Sequence, residues 1–180
     1  MYSTKLVGSN GTVSYSSSNT NQVNMANYIN GYFTRKMEAE CAYFEDFNAN
    51  TYSNYTYSGE TVASCTNSVL KLTTTNSDPQ MYITLPSSKY FNPQEYRYLH
   101  IRYKITSTNN HMGVYMVPKP SYSIYQTITA DGQWHTAIFD LSSKSAVWNL
   151  SQITGMRFDP INASGATMEI DYIGISSKSE

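Results

Sequence analysis

The run LHIRYKI at residues 99–105 decides the fold class. Its apolar residues stand at every second position: Leu99, Ile101, Tyr103 and Ile105 point one way, His100, Arg102 and Lys104 the other. Side chains on a strand alternate with a period of two, so this is a β-strand with one face buried. The segment 81–85 repeats the pattern, with Met81, Ile83 and Leu85 opposing Tyr82 and Thr84. Working outward, the same reading predicts strands at 32–39, 42–47, 69–75, 112–117, 122–129, 134–141, 155–159 and 167–175. Asp78-Pro79, Asn92-Pro93, Asn109-Asn110, Pro118-Lys119-Pro120, Asp131-Gly132, Asp159-Pro160 and Ser164-Gly165 punctuate them. Each has turn chemistry, because Gly and Asn reach φ > 0 and Pro cannot donate to a ladder. About ten short strands, with no amphipathic helix beyond a turn at 145–152, predict an all-β fold: an antiparallel two-sheet β-sandwich or jelly roll. A parallel α/β fold is excluded, since its crossover helices have no room.

The chain has 180 residues, 12 Lys plus Arg against 13 Asp plus Glu, and a formal charge of −1. No cluster of basic residues exists to neutralise phosphates, so nucleic acid is not an expected partner. The apolar runs are too short to span a bilayer, so no membrane partner is expected, and residues 1–20 lack the apolar region of a signal peptide. Charged residues make up only 14%, while Tyr alone contributes 17. A surface built from Tyr, Ser, Thr and Asn in place of Lys and Glu favours strands and turns. It also fits an extracellular or cell-surface life, with or without a glycan ligand. Residues 1–30 read as a polar linker or loosely attached segment, 31–176 as the β-sandwich and 177–180 as a polar tail. Cys41 and Cys65 fit either a disulfide closing a loop of about 24 residues, worth roughly 3 kcal/mol, or two packed thiols. Three scattered histidines and no Cys-x-x-Cys make a zinc site improbable.

Four local patterns between Phe44 and Ile175 carry a family resemblance. They are Phe44-Glu45-Asp46-Phe47-Asn48, Ser77-Asp78-Pro79-Gln80 after the Leu70/Leu72 strand, Asp131-Gly132-Gln133-Trp134-His135 leading into Phe139-Asp140-Leu141, and the closing pair Gly155–Pro160 and Glu169–Ile173. Their order and spacing resemble the galactose-binding-like, jelly-roll carbohydrate-binding modules that accompany polysaccharide-degrading enzymes and surface adhesins. The resemblance implies a non-catalytic module that binds a polysaccharide or glycan within a larger multidomain protein. Lys36-Met37-Glu38-Ala39-Glu40 is similar to the opening strand of some such modules. There, acidic groups join an aspartate of the last strand around a structural calcium, which would make Glu38, Glu40 and Asp171 the metal ligands. Two solvated glutamates and an aspartate at a strand end fit the same residues.

Sugar binding needs an aromatic plane for the apolar face of a pyranose and side chains able to bond its hydroxyls. The polar face of the central strands offers Tyr82, His100, Arg102 and Lys104, with Tyr115 joining from the next strand. The loop rim offers Tyr122, Tyr125 and Gln126 after the Pro118/Pro120 bend, and Trp148. Trp134, Tyr103 and Tyr172 are expected in the core or at a corner, and Trp148 either packs over a sheet or is exposed. Asp78, Asp131, Asp140 and Asp159 flank turns, where Asp commonly bonds its own backbone. They give no clear catalytic pair, and no Gly-x-Ser-x-Gly occurs, so the chain is not read as an enzyme. A neutral polysaccharide is the expected ligand, and a ligand-free structural or protein-interaction sandwich is the competing reading.

Overall fold

The computed structural model describes residues 40–49, 55–58 and 61–179, together with the short strands β1 (Lys5–Leu6) and β2 (Val13–Ser14). The chain divides into two units, Met1–Glu40 and Cys41–Glu180. Within the first, β1 and β2 pair antiparallel, Lys5 opposite Ser14. The remainder of the expected linker 1–30, and the expected strand 32–39 with Glu38, lie outside the described residues.

The second unit is a sandwich of two sheets in which every pairing is antiparallel. Its strands are β3 (Cys41–Glu45), β4 (Tyr55–Ser58), β5 (Thr61–Thr66), β6 (Val69–Thr74), β7 (Gln80–Thr84), β8 (Tyr98–Thr106), β9 (His111–Val117), β10 (Lys119–Thr127), β11 (Asp131–Asp140), β12 (Gly155–Asp159) and β13 (Thr167–Ser176). One sheet has the order β10-β9-β12-β7-β4. The other runs β11-β8-β13-β6-β5, with β3 also on β13. From β6 onward the chain crosses between the sheets at each connection except the β9–β10 hairpin. A turn of α-helix, α1 (Ser145–Trp148), lies where the helical turn is expected.

The alternation predicted from sequence builds the core. Leu99, Ile101, Tyr103 and Ile105 of β8 are all 2% exposed or less and meet Met81, Ile83, Val114, Met116 and Phe158 of the facing sheet. Each such side chain, fully buried, contributes roughly 1.5–3 kcal/mol. Within the sandwich, the sequence predicts no strand at β4 or β5. Their segments are short and rich in Ser, Thr and Tyr, so they carry little apolar alternation.

Two aromatics expected in the core or at a corner lie outside. Tyr172 shares sequence parity with the core residue Ile170, yet β13 slips between Ile170 and Tyr172, leaving Asp171 as the extra residue. A one-residue slip exchanges the faces of everything beyond it. Ile173 and Ile175 therefore point inward, and Tyr172 lies outside against Phe44, with ring centroids 5.7 Å apart. Trp134 stands opposite Lys104 on the outer face rather than in the core, because the register of β11 is unbroken from Trp134 to Asp140 and Ala137 and Phe139 take the inner positions.

Candidate functional site

The residues expected to form one polar face are distributed over both sheets. Tyr82 and Tyr115 belong to the five-stranded sheet, while His100 and Arg102 belong to the outer face of the six-stranded sheet. Sequence parity identifies which side of a strand a residue takes, but not which sheet the strand joins. His100 and Arg102 are also covered, at 7% and 8% exposure. The His100 Nε2 lies 2.9 Å from the Lys178 carbonyl, so the terminal segment folds back over it. Arg102 packs beneath Trp134, its Nε 3.2 Å from an Asp171 oxygen. These two side chains are not available for stacking or for hydroxyl contacts in the way expected.

The five-stranded sheet assembles the stronger constellation. Its register sets Tyr115 of β9, Arg157 of β12 and Tyr82 of β7 side by side in one row across the outer face. Tyr125 of the edge strand β10 pairs with Gly113 and leans over it. A Cβ at Gly113 would stand 2.7 Å from Tyr125 Cδ1 and closer still to Cε1, so only glycine lets the ring lie there. Tyr125 and Tyr115 meet edge to face, centroids 5.9 Å apart at 83°, and share a hydrogen bond between their hydroxyls. The Arg157 guanidinium stands 4.5 Å from the Tyr115 ring centre, a distance at which a cation and an aromatic face attract.

The guanidinium is fixed from both sides. Its Nε and Nη2 each donate to Asp159 at 2.7 Å, one to each carboxylate oxygen, and Nη2 also reaches Asp78 Oδ1 at 3.3 Å. Planar two-point pairing of this kind sets orientation as well as attraction. Asp78 in turn accepts from Gln80 Nε2 at 2.7 Å, and Gln80 accepts from the Tyr82 hydroxyl at 2.9 Å. The Asn76 side chain takes the Asp78 backbone N–H and secures the turn before β7. The turn-flanking aspartates thus have a second role that their proline neighbours conceal in the sequence. Asp78 and Asp159 both hold Arg157.

Electrostatics keep this cluster in one protonation state. Burial pulls the Arg157 guanidinium down, but its bonds and charge pairing with Asp159 outweigh that, and its net shift is upward. Asp159 is 1% exposed; burial pushes its carboxyl above the usual range, with Arg157 pulling against it. The Tyr115 phenol is pushed up by burial, by its bond to Tyr125 and by the neighbouring Asp159. At neutral pH it is a neutral group that can donate or accept.

The other expected rim residues separate. Tyr122, 47% exposed, falls in the irregular stretch of β10 between Lys119 and Ser123. Gln126 shares the side of Ile124, opposite to that of Tyr125, and so does not join the row. Trp148 is half-buried on α1, where the Arg97 guanidinium lies 5.9 Å from its ring and 5.1 Å from that of Tyr98. Asp140 anchors Arg97 from the other side at 2.5–2.8 Å. For calcium, Glu38 lies outside the described residues and Glu40 is exposed. Asp171 already faces a cation, Arg102. Among the described residues no three His, Cys, Asp or Glu gather as a metal would need. Cys41 and Cys65 are both thiols.

What the five-stranded face offers is an exposed aromatic plane beside a rigid row of donors and acceptors. Its one guanidinium is already balanced by two carboxylates. The strand order around it is that of an antiparallel two-sheet β-sandwich. The fold is similar to that of a family 29 carbohydrate-binding module from Piromyces equi, at 14% identity and a TM-score of 0.52 over 71% of this chain and 83% of that one. It is similar also to an arginine-to-alanine variant of the module CBM29-2, at 12% identity and a TM-score of 0.54 over 75% and 91%. A lysine-to-alanine variant of CBM29-2 complexed with cellulohexaose matches at 10% identity and a TM-score of 0.52, over the same shares. At such identities the likeness is one of fold. No family model and no curated protein matches the sequence.

Proposed function

We propose that this chain is a non-catalytic carbohydrate-binding module that holds a neutral polysaccharide on the outer face of its five-stranded sheet. The observation that carries the reading is the row Tyr82, Arg157, Tyr115, with Tyr125 laid over Gly113. A pyranose has an apolar CH face and a rim of hydroxyls. Tyr125, 45% exposed, offers the plane, and Arg157, Asp78, Gln80 and the tyrosine hydroxyls supply partners for the rim. The charge balance at Arg157 favours a neutral chain over an acidic one.

The solved structures of similar fold support a carbohydrate-binding role. CBM29-2 variants made to probe ligand recognition include alanine at an arginine and at an aspartate two positions further on, and another replaces a tyrosine. Arg157-Phe158-Asp159 has that spacing, on the next-to-last strand of the sandwich. Hydrolysis would need two carboxylates free to act on opposite sides of a glycosidic bond. Here Asp159 is buried and Asp78 shares the same guanidinium, which supports binding without catalysis. An extracellular setting, attached to a larger enzyme or surface protein, fits a module of this kind.

The test is retardation in native gels containing soluble β-glucan, glucomannan, galactomannan, xylan or pectate. Retardation by a neutral polymer, lost in Tyr125→Ala at an unchanged melting temperature, is the expected result. No retardation by any polymer would overturn the reading in favour of a ligand-free structural or protein-interaction sandwich.

A further inference from the structure

The opposite face of the sandwich carries a second constellation that the site above does not use. The register of β6, β13, β8 and β11 sets Lys71, Glu169, Lys104 and Trp134 in one row across the outer face of the six-stranded sheet. Lys104 Nζ bonds Glu169 Oε2 at 2.5 Å, and the same ammonium stands 5.1 Å from the Trp134 ring centre. Both members of the ion pair keep about a third of their side-chain surface in solvent, at 33% and 32%. Beside them a cleft of about 360 Å³ opens at the ends of β8 and β13, walled by Thr106 and Thr167 and by the turns at Gly132 and Gly165. Both glycines have positive φ, +80° and +75°, and neither turn projects a side chain over the opening there.

An indole on an outer face, one ion pair within reach of solvent, and two threonines around a polar cleft are the parts that a sugar site requires. We propose that this face is a second glycan-binding site: Trp134 takes the CH face of one pyranose, Lys104 and Glu169 bond its hydroxyls, and the cleft receives the neighbouring unit. The proposal rests on the reading of the chain as a carbohydrate-binding module. Signs alternate along the row, each cation having a carboxylate neighbour, so the face suits a polyhydroxyl ligand better than an anion. Two sites on opposite faces of one sandwich give the module two points of attachment. It can then join two polysaccharide chains and gain avidity on a surface beyond that of either site.

The test uses the full chain and a polysaccharide that retards it. With Tyr125→Ala weakening the first site, residual retardation is expected, and adding Trp134→Ala or Glu169→Gln should weaken it about tenfold further. A melting curve for each variant separates lost binding from lost folding. The chain has two tryptophans, so its two indole N–H resonances are readily assigned. In the Tyr125→Ala protein a soluble oligosaccharide should shift that of Trp134. The second site is refuted if wild type is retarded, Tyr125→Ala is not, and the Trp134 resonance stays fixed at saturating ligand; the five-stranded site then stands alone. If wild type is not retarded at all, the carbohydrate reading falls and this proposal with it.

Discussion

Replacing Gly113 by alanine tests the candidate site without touching any group that would contact a ligand. The added Cβ would lie 2.7 Å from Tyr125 Cδ1 and 3.0 Å from Cζ, where carbon atoms ordinarily rest about 3.5–4.0 Å apart. Either the backbone of β9 or the Tyr125 ring must retreat, by roughly 1 Å on that contact distance. The backbone is the stiffer of the two, because Gly113 is paired on one side to Tyr125 and on the other to Asp159. Tyr125 is 45% exposed on an edge strand and has room to swing outward. That movement breaks its edge-to-face contact and hydroxyl bond with Tyr115 and tilts the stacking plane. A stacking contact is worth roughly 1–1.5 kcal/mol, so Kd for the retarding polysaccharide should rise about five- to tenfold. Stability should change by less than about 1 kcal/mol, since alanine suits a strand better than glycine and the displaced ring is a surface group. Calorimetric titration of wild type, Gly113→Ala, Tyr125→Ala and the double variant gives the coupling directly. Gly113→Ala should add nothing once Tyr125 is gone. Wild-type affinity in Gly113→Ala, or full additivity with Tyr125→Ala, would refute the reasoning.

Arg157→Ala strands the Asp159 carboxylate, and a buried charge deprived of its partner costs about 3 kcal/mol. Urea unfolding should show this at neutral pH, with part recovered by adding Asp159→Ala and the deficit shrinking in acid as the carboxyl protonates; an unchanged midpoint would contradict the pairing. Burial holds the His100 imidazole below its usual 6.5, the Lys178 carbonyl opposing only part of the shift. The unfolded chain therefore binds the proton more readily, and stability should fall as pH drops below about 6.5. In His100→Gln that fall should flatten, and identical pH profiles of melting temperature would discount the histidine. Chelation with EDTA should leave the melting temperature unchanged, because Asp171 already faces Arg102. A drop would restore calcium to Glu38, Glu40 and Asp171.

How much of the site was legible follows from the range over which each signal acts. Tyr82, Tyr115 and Tyr125 are exposed or half-exposed on the strands where alternation placed them. Grouping Tyr82 and Tyr115 with His100 and Arg102 failed, because β7 and β8 are consecutive in sequence but belong to different sheets. Asp78 and Asp159 were read as turn residues, without their part in holding Arg157. Their pairing spans 79 residues between Asp78 and Arg157, and no local pattern encodes it. Gly113 could have served as a signal, since a glycine inside an alternating strand often marks a close approach. The slip that moved Tyr172 outward is set by pairing with neighbouring strands and leaves no trace in the run of residues, whereas the outward side of Trp134 follows from its parity against Ala137 and Phe139.

The sequence by itself determined an all-β sandwich and most of its core, because side-chain periodicity and turn chemistry are local properties of the chain. Only the tertiary structure decided which sheet each strand joins, and hence which tyrosines share a face with Arg157 and which side chains the terminal segment covers. Strand order and register are fixed by contacts between residues far apart in the chain, through burial of both sheets against each other, and no short stretch contains that information.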